Sequence, residues 1–192
     1  QLRPQPALAK SWTVSPDGTL YTFNLQENVK WHDGRPFTAD DVVFSIGKFH
    51  MELSPRSRAI FQRITEIAAP NPTTVTIKIR EAFEPFLLMF DVTATGIVPK
   101  HVYDGTDYRN NPANATPIGT GPFKFNEWRR GNYIHLTRFA DYWKPGQPYL
   151  DDIYYRIIPD SASRGLALQG GQVQLTQSND IEPFDVPRFQ QM

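Results

Sequence analysis

Val29-Lys30-Trp31-His32-Asp33-Gly34-Arg35-Pro36-Phe37-Thr38-Ala39-Asp40-Asp41-Val42 is the stretch from which the rest of the chain can be read. Val29 and Trp31 continue a strand, Asp33-Gly34 makes a turn, and Pro36-Phe37-Thr38 leads into a helix. Thr38 is the expected N-cap, and Asp41 three positions on gives a capping box weaker than one built with Glu. Asp40 and Asp41 suit the positive end of the helix dipole. Val42, Ile46 and Phe49 follow at i, i+4 and i+7, so one face of the helix is expected to pack inward.

Upstream, Ser15-Pro16-Asp17-Gly18 is a turn, and Tyr21, Phe23 and Leu25 alternate with Thr22 and Asn24 as a half-buried strand does. Downstream, residues 51–63 read as a loop and a short helix, and Ile64 to Ala69 as a strand. Asn71-Pro72-Thr73 turns that strand back into Val75, Ile77 and Ile79, which alternate with Thr76, Lys78 and Arg80. Pro85 to Phe90 fits a short apolar helix, and from Tyr103 to Pro117 periodicity is lost, as in a surface loop or a domain boundary. Phe123 to Trp128 and Tyr133 to Arg138 form a hairpin across Arg129-Arg130-Gly131-Asn132, and Ile153, Tyr155 and Ile157 mark a third strand. Ser161 is expected to cap a helix through Leu168, closed by Gly170-Gly171, with a short strand at Val173 and Leu175. A last helix begins at Asp185 and stops at Met192, which implies that the domain continues beyond this chain.

The 192 residues suffice for one large domain or two small ones. Lys+Arg and Asp+Glu are 20 each, so the basic footprint of a nucleic-acid binder is missing. No apolar run approaches the roughly 18 residues of a membrane span, and these residues contain no signal-peptide pattern, Gln1 opening directly onto domain-like sequence. With no cysteine there is neither a disulfide nor a thiolate site. Aromatic residues make up 13% and there are 17 prolines, a composition of turns, β structure and broad flat side chains. Trp12, Trp31, Trp128 and Trp143 fall near turns or strand ends, where they cover a sheet edge or, on an exposed face, stack against a sugar.

Catalytic and metal chemistry find little support. His32, His50, His101 and His135 offer no pair at metal-ligand spacing. Gly119-Thr120-Gly121 supplies two glycines of a dinucleotide loop, but Lys124 stands where the third is required and Pro122 lacks an N–H. Asp40-Asp41 and Asp151-Asp152 are adjacent pairs that cannot converge as a glycosidase dyad, and they read as capping or solvated groups. No enzyme is expected, and no cofactor.

Leu8-Ala9-Lys10-Ser11-Trp12, the Ser15–Gly18 turn, Tyr21-Thr22-Phe23-Asn24-Leu25 and the Val29–Val42 stretch together resemble the family 5 solute-binding proteins of ABC importers, the oligopeptide-, dipeptide- and nickel-binding class. The resemblance resumes at Pro117-Ile118-Gly119-Thr120-Gly121-Pro122-Phe123, Asp141-Tyr142-Trp143, Ile158-Pro159-Asp160 and Gly171-Gln172-Val173, in family order from about Pro6 to the end. Gln26, where a basic residue is frequent, and Gln174, where an acidic one is common, depart from the pattern without disturbing its apolar alternation.

The resemblance implies an α+β, periplasmic-binding-protein-like fold of class II, cluster C type, of which this chain covers less than half. Residues 1–115 would be the small β-rich accessory subdomain with one or two helices, and residues 116–192 an incomplete part of the large N-terminal lobe, the C-terminal lobe being absent. It implies capture of a small solute, with a di- or oligopeptide the first choice and nickel complexes, opines and sugars open. It further implies delivery to ABC permease subunits, a periplasmic or extracellular location, and a monomer. Thr120, Gly121 and Phe123 are the candidate ligand-binding residues: backbone N–H groups and the Thr120 hydroxyl would bond the ligand while Phe123 packs beneath. The competing reading is a tight strand entry whose glycines merely let two chain segments approach. The alternative function is a β-rich carbohydrate-binding module with at least two coplanar exposed rings. The importer reading instead expects raw apolar surface near Val173, Leu175 and the last helix.

Overall fold

The structure is a computed structural model and describes residues 3–90, 95–177, 180–182 and 186–189. The chain divides into two compact units, Gln1–Lys124 with Phe139–Tyr149, and Phe125–Arg138 with Leu150–Met192.

In the first unit, β1 (Ala9–Val14), β2 (Leu20–Leu25), β3 (Ile64–Asn71) and β4 (Thr74–Ile79) form an antiparallel sheet in the order β1-β2-β4-β3. The β1–β2 turn closes as its composition dictates. Gly18 at φ +70° donates its N–H to the Ser15 carbonyl at 2.9 Å, and the Asp17 carboxylate takes the Ser15 and Thr19 hydroxyls. Alternation in β2 and β4 then puts Tyr21, Phe23, Leu25, Val75, Ile77 and Ile79 on one buried face, Tyr21 facing Ile77 and Phe23 facing Val75. Helix α1 (Ala39–Phe44) starts at Thr38 as expected and lays Val42 into this core.

One turn later the helix departs from the expected period. Ser45–Phe49 is a π turn, continued by α2 (His50–Leu53) and, after the Ser54 cap, by α3 (Pro55–Phe61). A π turn adds a residue to the helical repeat and so rotates the succeeding side chains about the helix axis. Ile46 reaches the sheet core as expected, whereas Phe49 packs with Phe44, Tyr103 and Tyr108 in a second cluster. Glu84–Met89 is a 3₁₀ helix that buries Phe86. The aperiodic stretch after α4 (Lys100–Tyr103) is a packed segment rather than a bare loop. Tyr103 and Tyr108 are buried, and Asn114 accepts from the Tyr103 hydroxyl at 3.0 Å and donates to the Tyr108 carbonyl at 2.9 Å.

Strand β5 (Phe123–Arg129) begins in the first unit and joins β6 (Tyr133–Arg138) and β7 (Asp152–Arg156) in a sheet of that order. His135 ties the three strands: its Nδ1 meets the Asn126 amide at 2.9 Å, its Nε2 meets Asp152 at 2.7 Å, and its ring stacks on Tyr154 at 4.1 Å. Helix α5 (Ser161–Gln169) is capped by Asp160, not Ser161 as the sequence suggested, because the Asp160 carboxylate accepts the Ser163 N–H at 2.7 Å. The strand expected at Val173 and Leu175 does not form. The N–H groups of Gln172 and Val173 both turn back to the Ala167 carbonyl at the helix end, which removes Val173 as a ladder donor. Helix α6 (Val186–Phe189) lies where a last helix was expected, and Asp185 and residues 190–192 lie outside the described residues. Leu166 and Leu175 are 61% and 86% exposed, and Tyr154, Tyr155 and Ile157 are exposed as well. No described helix is long and apolar enough to cross a membrane.

The start of α1 depends on one buried carboxylate. Asp41 accepts the Trp31 indole N–H at 3.2 Å, the Thr38 N–H at 2.9 Å and the Lys100 N–H at 2.9 Å. Asp41→Asn replaces one acceptor oxygen by a donor and strands at least one buried N–H, a loss of about 1–3 kcal/mol. The urea midpoint of the variant should fall accordingly, and an unchanged midpoint would show that water satisfies these donors.

Candidate functional site

The Val29–Phe37 segment folds into a tight loop. Trp31 N–H donates to the Arg35 carbonyl, Gly34 N–H to the Trp31 carbonyl and Phe37 N–H to the Val29 carbonyl, at 2.8, 2.8 and 2.9 Å. Gly34 sits at φ +87°, and Trp31 is 1% exposed. With the indole fixed inside, the next side chain, His32, is directed onto the Gly119–Pro122 turn.

Three hydrogen bonds join them. His32 N–H donates to the Gly119 carbonyl at 2.9 Å, Gly119 N–H donates to His32 Nδ1 at 3.1 Å, and His32 Nε2 lies 3.0 Å from the Gly121 carbonyl. Because Nδ1 accepts, the ring proton belongs on Nε2, which donates to Gly121. The Phe139 ring meets the imidazole edge-on at 4.9 Å, and Phe139 N–H donates to the Pro122 carbonyl at 2.9 Å. Nearby, Lys30 pairs with Asp141 at 2.8 Å across an exposed surface. Burial holds the His32 pKa below the ordinary imidazole value, and burial does the same to His50, whose Nε2 lies 2.7 Å from the Gly96 carbonyl.

The two glycines of the turn have different reasons to be glycine. A Cβ at Gly119 would stand 3.3 Å from His32 Cε1, so that position is small to admit the imidazole. A Cβ at Gly121 would meet nothing within 4 Å, and its φ is not in the left-handed region. Among the described residues, neither the Thr120 hydroxyl nor the N–H groups of Thr120 and Gly121 have a hydrogen-bond partner. Thr120, Gly121 and Phe123 are all half-buried on this one turn and the strand it opens. The close-approach reading thus describes Gly119, whereas Thr120 and Gly121 retain donors that can meet an acceptor from outside. His32 and Phe139, which build the turn's floor, were not among the expected site residues. The placement of His32 one residue after a buried Trp and one before the Asp33-Gly34 turn was the available signal.

The other candidates resolve into structural roles. His101 pairs with Asp33 at 2.7 Å and Asp151 with Arg138 at 3.0 Å. Among the described residues no three His, Asp or Glu side chains gather as a metal-holding group. The sugar-stacking platform is not favoured either. Trp31 is buried, the exposed Trp128 carries the Arg130 guanidinium over its ring at 5.1 Å, and the Tyr133 and Tyr154 rings meet at 74°.

Comparison with known proteins gives the family. The profile of the bacterial extracellular solute-binding proteins, family 5 middle, matches residues 3–191, and the chain belongs to this family. A Brucella ovis protein named as a candidate ABC transporter peptide-binding protein is 38% identical over 188 residues, covering 92% of this chain and 34% of its own length. NikA from Brucella suis, in complex with Fe(III)-EDTA, superposes with a TM-score of 0.84 at 30% identity over 97% of this chain and 38% of its own. DppA from Helicobacter pylori, in complex with the peptide STSA, superposes at 0.80 and 30% identity over 98% of this chain and 40% of its own. The chain thus has the α+β, periplasmic-binding-protein-like fold and spans little more than a third of these relatives' length. The family is one of solute-binding proteins, described as extracellular.

Two outcomes test the site as described. Gly119→Ala crowds the imidazole and should cost about 1–3 kcal/mol, whereas Gly121→Ala should leave stability within about 0.5 kcal/mol; equal losses at both positions in urea unfolding would refute the distinction. Below about pH 6.5 the unfolded chain protonates His32 and His50 while the folded one resists. Stability is therefore complete above that pH and declines as pH falls toward the depressed folded values. A stability that rose on acidification from pH 6.5 would contradict the buried, neutral state of both rings.

Proposed function

We propose that this chain is part of the substrate-binding component of an ABC importer that captures a di- or oligopeptide and hands it to membrane permease subunits. The observation that carries the reading is the Thr120-Gly121 turn, whose two N–H groups and hydroxyl are unpartnered among the described residues of a family 5 solute-binding chain. Peptides present carbonyl and carboxylate acceptors suited to such donors. The Brucella relative's name and the peptide held by DppA support peptide cargo over the metal chelate held by NikA. In this reading Thr120 and Gly121 bond the ligand and Phe123 supports them from below.

Residues 1–115 serve as the accessory subdomain and residues 116–192 as part of the large lobe, with further ligand contacts supplied by chain that these 192 residues do not contain. The exposed Leu166 and Leu175 support that assignment, since apolar surface of this kind is covered when another segment packs on it. The whole protein acts as a monomer in the periplasm or outside the cell. Clamp-type capture needs contacts from both lobes. The 192-residue chain alone should therefore fold at least in part and show no tight, saturable binding by calorimetry.

Thermal-shift measurements on the full-length gene product against short peptides, oligosaccharides and nickel chelates test the proposal. A ligand at about a hundred times its Kd adds about 2.7 kcal/mol of stability, so a selective peptide shift is the expected result. A shift with a sugar or chelate and none with peptides would overturn the cargo. Tight peptide binding by the isolated chain would overturn the two-lobe account.

A further inference from the structure

We propose that His32 is the positioning residue of the ligand-facing turn: as the neutral Nε2–H tautomer it clamps Gly119 and Gly121 and so presents the free donors of Thr120 and Gly121, and protonation of the ring breaks its bond to the Gly119 N–H and loosens the turn on that side. The inference rests on the proposed function for the word ligand, but the clamp itself is a property of the ligand-free chain.

Among the described residues, the imidazole is the one side chain that bonds the turn on both sides of Thr120. Its Nδ1 takes the Gly119 N–H at 3.1 Å and its Nε2 gives to the Gly121 carbonyl at 3.0 Å, so the ring bridges the residues before and after Thr120. Its own backbone N–H holds the Gly119 carbonyl as well, at 2.9 Å. With these groups occupied by His32, the donors left over are the N–H groups of Thr120 and Gly121 and the Thr120 hydroxyl. They suit an acceptor-rich ligand group, a peptide carbonyl or a carboxylate. The absence of any need for glycine at position 121 within the chain's own packing leaves that side of the turn open to such a group.

A proton on Nδ1 would point at the Gly119 N–H, replacing a hydrogen bond by two opposed donors. Of the two ring bonds only that to Gly121 survives, and the Gly119 N–H must rotate away or lose its partner. The charged groups around the ring bear on this step in opposite senses. Lys124, two residues past the turn, opposes protonation and Asp33, beside His32, favours it. The Asp33 carboxylate is itself engaged by His101 at 2.7 Å and by the Arg35 N–H at 3.1 Å, and on the Phe139 side Asp141 is paired with Lys30. Phe139 closes that side of the imidazole with an apolar ring. Relief therefore comes from moving the turn, not from a nearby free anion.

The test is a nitrogen-detected histidine spectrum and an amide spectrum of the isotopically labelled chain, followed from pH 8 downward. His32 should show a protonated Nε2 and a bare Nδ1 at neutral pH. The Gly119, Thr120 and Gly121 amides should shift with the same midpoint as His32, and Gly119 amide exchange should rise, while the Val75 and Ile77 amides stay fixed. His32→Gln, whose amide can donate to Gly121, should retain the turn's amide positions but lose their titration; His32→Ala should displace the Gly119–Gly121 amides at every pH. A His32 ring protonated on Nδ1 at neutral pH, or turn amides indifferent to its titration, would overturn the inference. Because no ligand enters the measurement, failure here is distinct from a full-length protein that binds no peptide.

Discussion

The Asp41 carboxylate is the point on which the first unit turns. A buried carboxylate is tolerated only when its lone pairs are filled. Here they are filled by donors from three separate segments: the Trp31 indole, the Thr38 amide at the start of α1 and the Lys100 amide at the start of α4. That arrangement fixes the helix start against the loop that carries His32 and against the segment that carries His101. The sheet supplies one face of the core, but it does not by itself decide where residues 29–37 lie. Trp31 does so, because its ring is surrounded by the core while its one polar atom is committed to Asp41.

From that anchor the order of events is short. A buried Trp31 sets the backbone of His32, His32 sets the turn at residues 119–122, and the turn opens β5. Stability and candidate function meet at the imidazole, since the same neutral ring that satisfies Gly119 and Gly121 leaves the donors between them available. A side chain in such a place cannot be exchanged for a merely isosteric one without changing which backbone groups face outward. The ring leaves little room for a Cβ at Gly119, whereas a Cβ at Gly121 would meet nothing within 4 Å.

Much of this was legible in the sequence, because the elements that form the fold are locally determined. The Ser15–Gly18 turn, the alternation of Tyr21, Phe23 and Leu25 against Val75, Ile77 and Ile79, and the Thr38 cap each follow from side-chain chemistry within a few residues. What escaped depends on distant partners. The π turn at Ser45–Phe49 sends Phe49 to Tyr103 and Tyr108, more than fifty positions away, and no local period announces it. Asp160 and Ser161 are both good caps, and Asp160, one residue earlier, takes the Ser163 amide, so Ser161 is the first helical residue. Val173 and Leu175 alternate like a strand, but the Val173 donor is drawn to the end of α5. The candidate turn was visible as Gly119-Thr120-Gly121-Pro122, whereas its partner His32 lies 87 positions from Gly119, too far for any local pattern to join the two.

The second unit is less self-sufficient. Its sheet is tied through His135, yet Leu166, Leu175 and the Tyr154–Ile157 edge stay exposed, in a chain that spans little more than a third of its relatives' length. On the proposed function, the Thr120-Gly121 turn is half of a site whose other half lies elsewhere in the full protein. The most direct test is a crystal structure of the full-length protein with its cargo bound. The account predicts a ligand oxygen within about 3 Å of the Thr120 or Gly121 amide nitrogen or the Thr120 hydroxyl, with His32 still bridging Gly119 and Gly121. A bound cargo that leaves this turn untouched would contradict it.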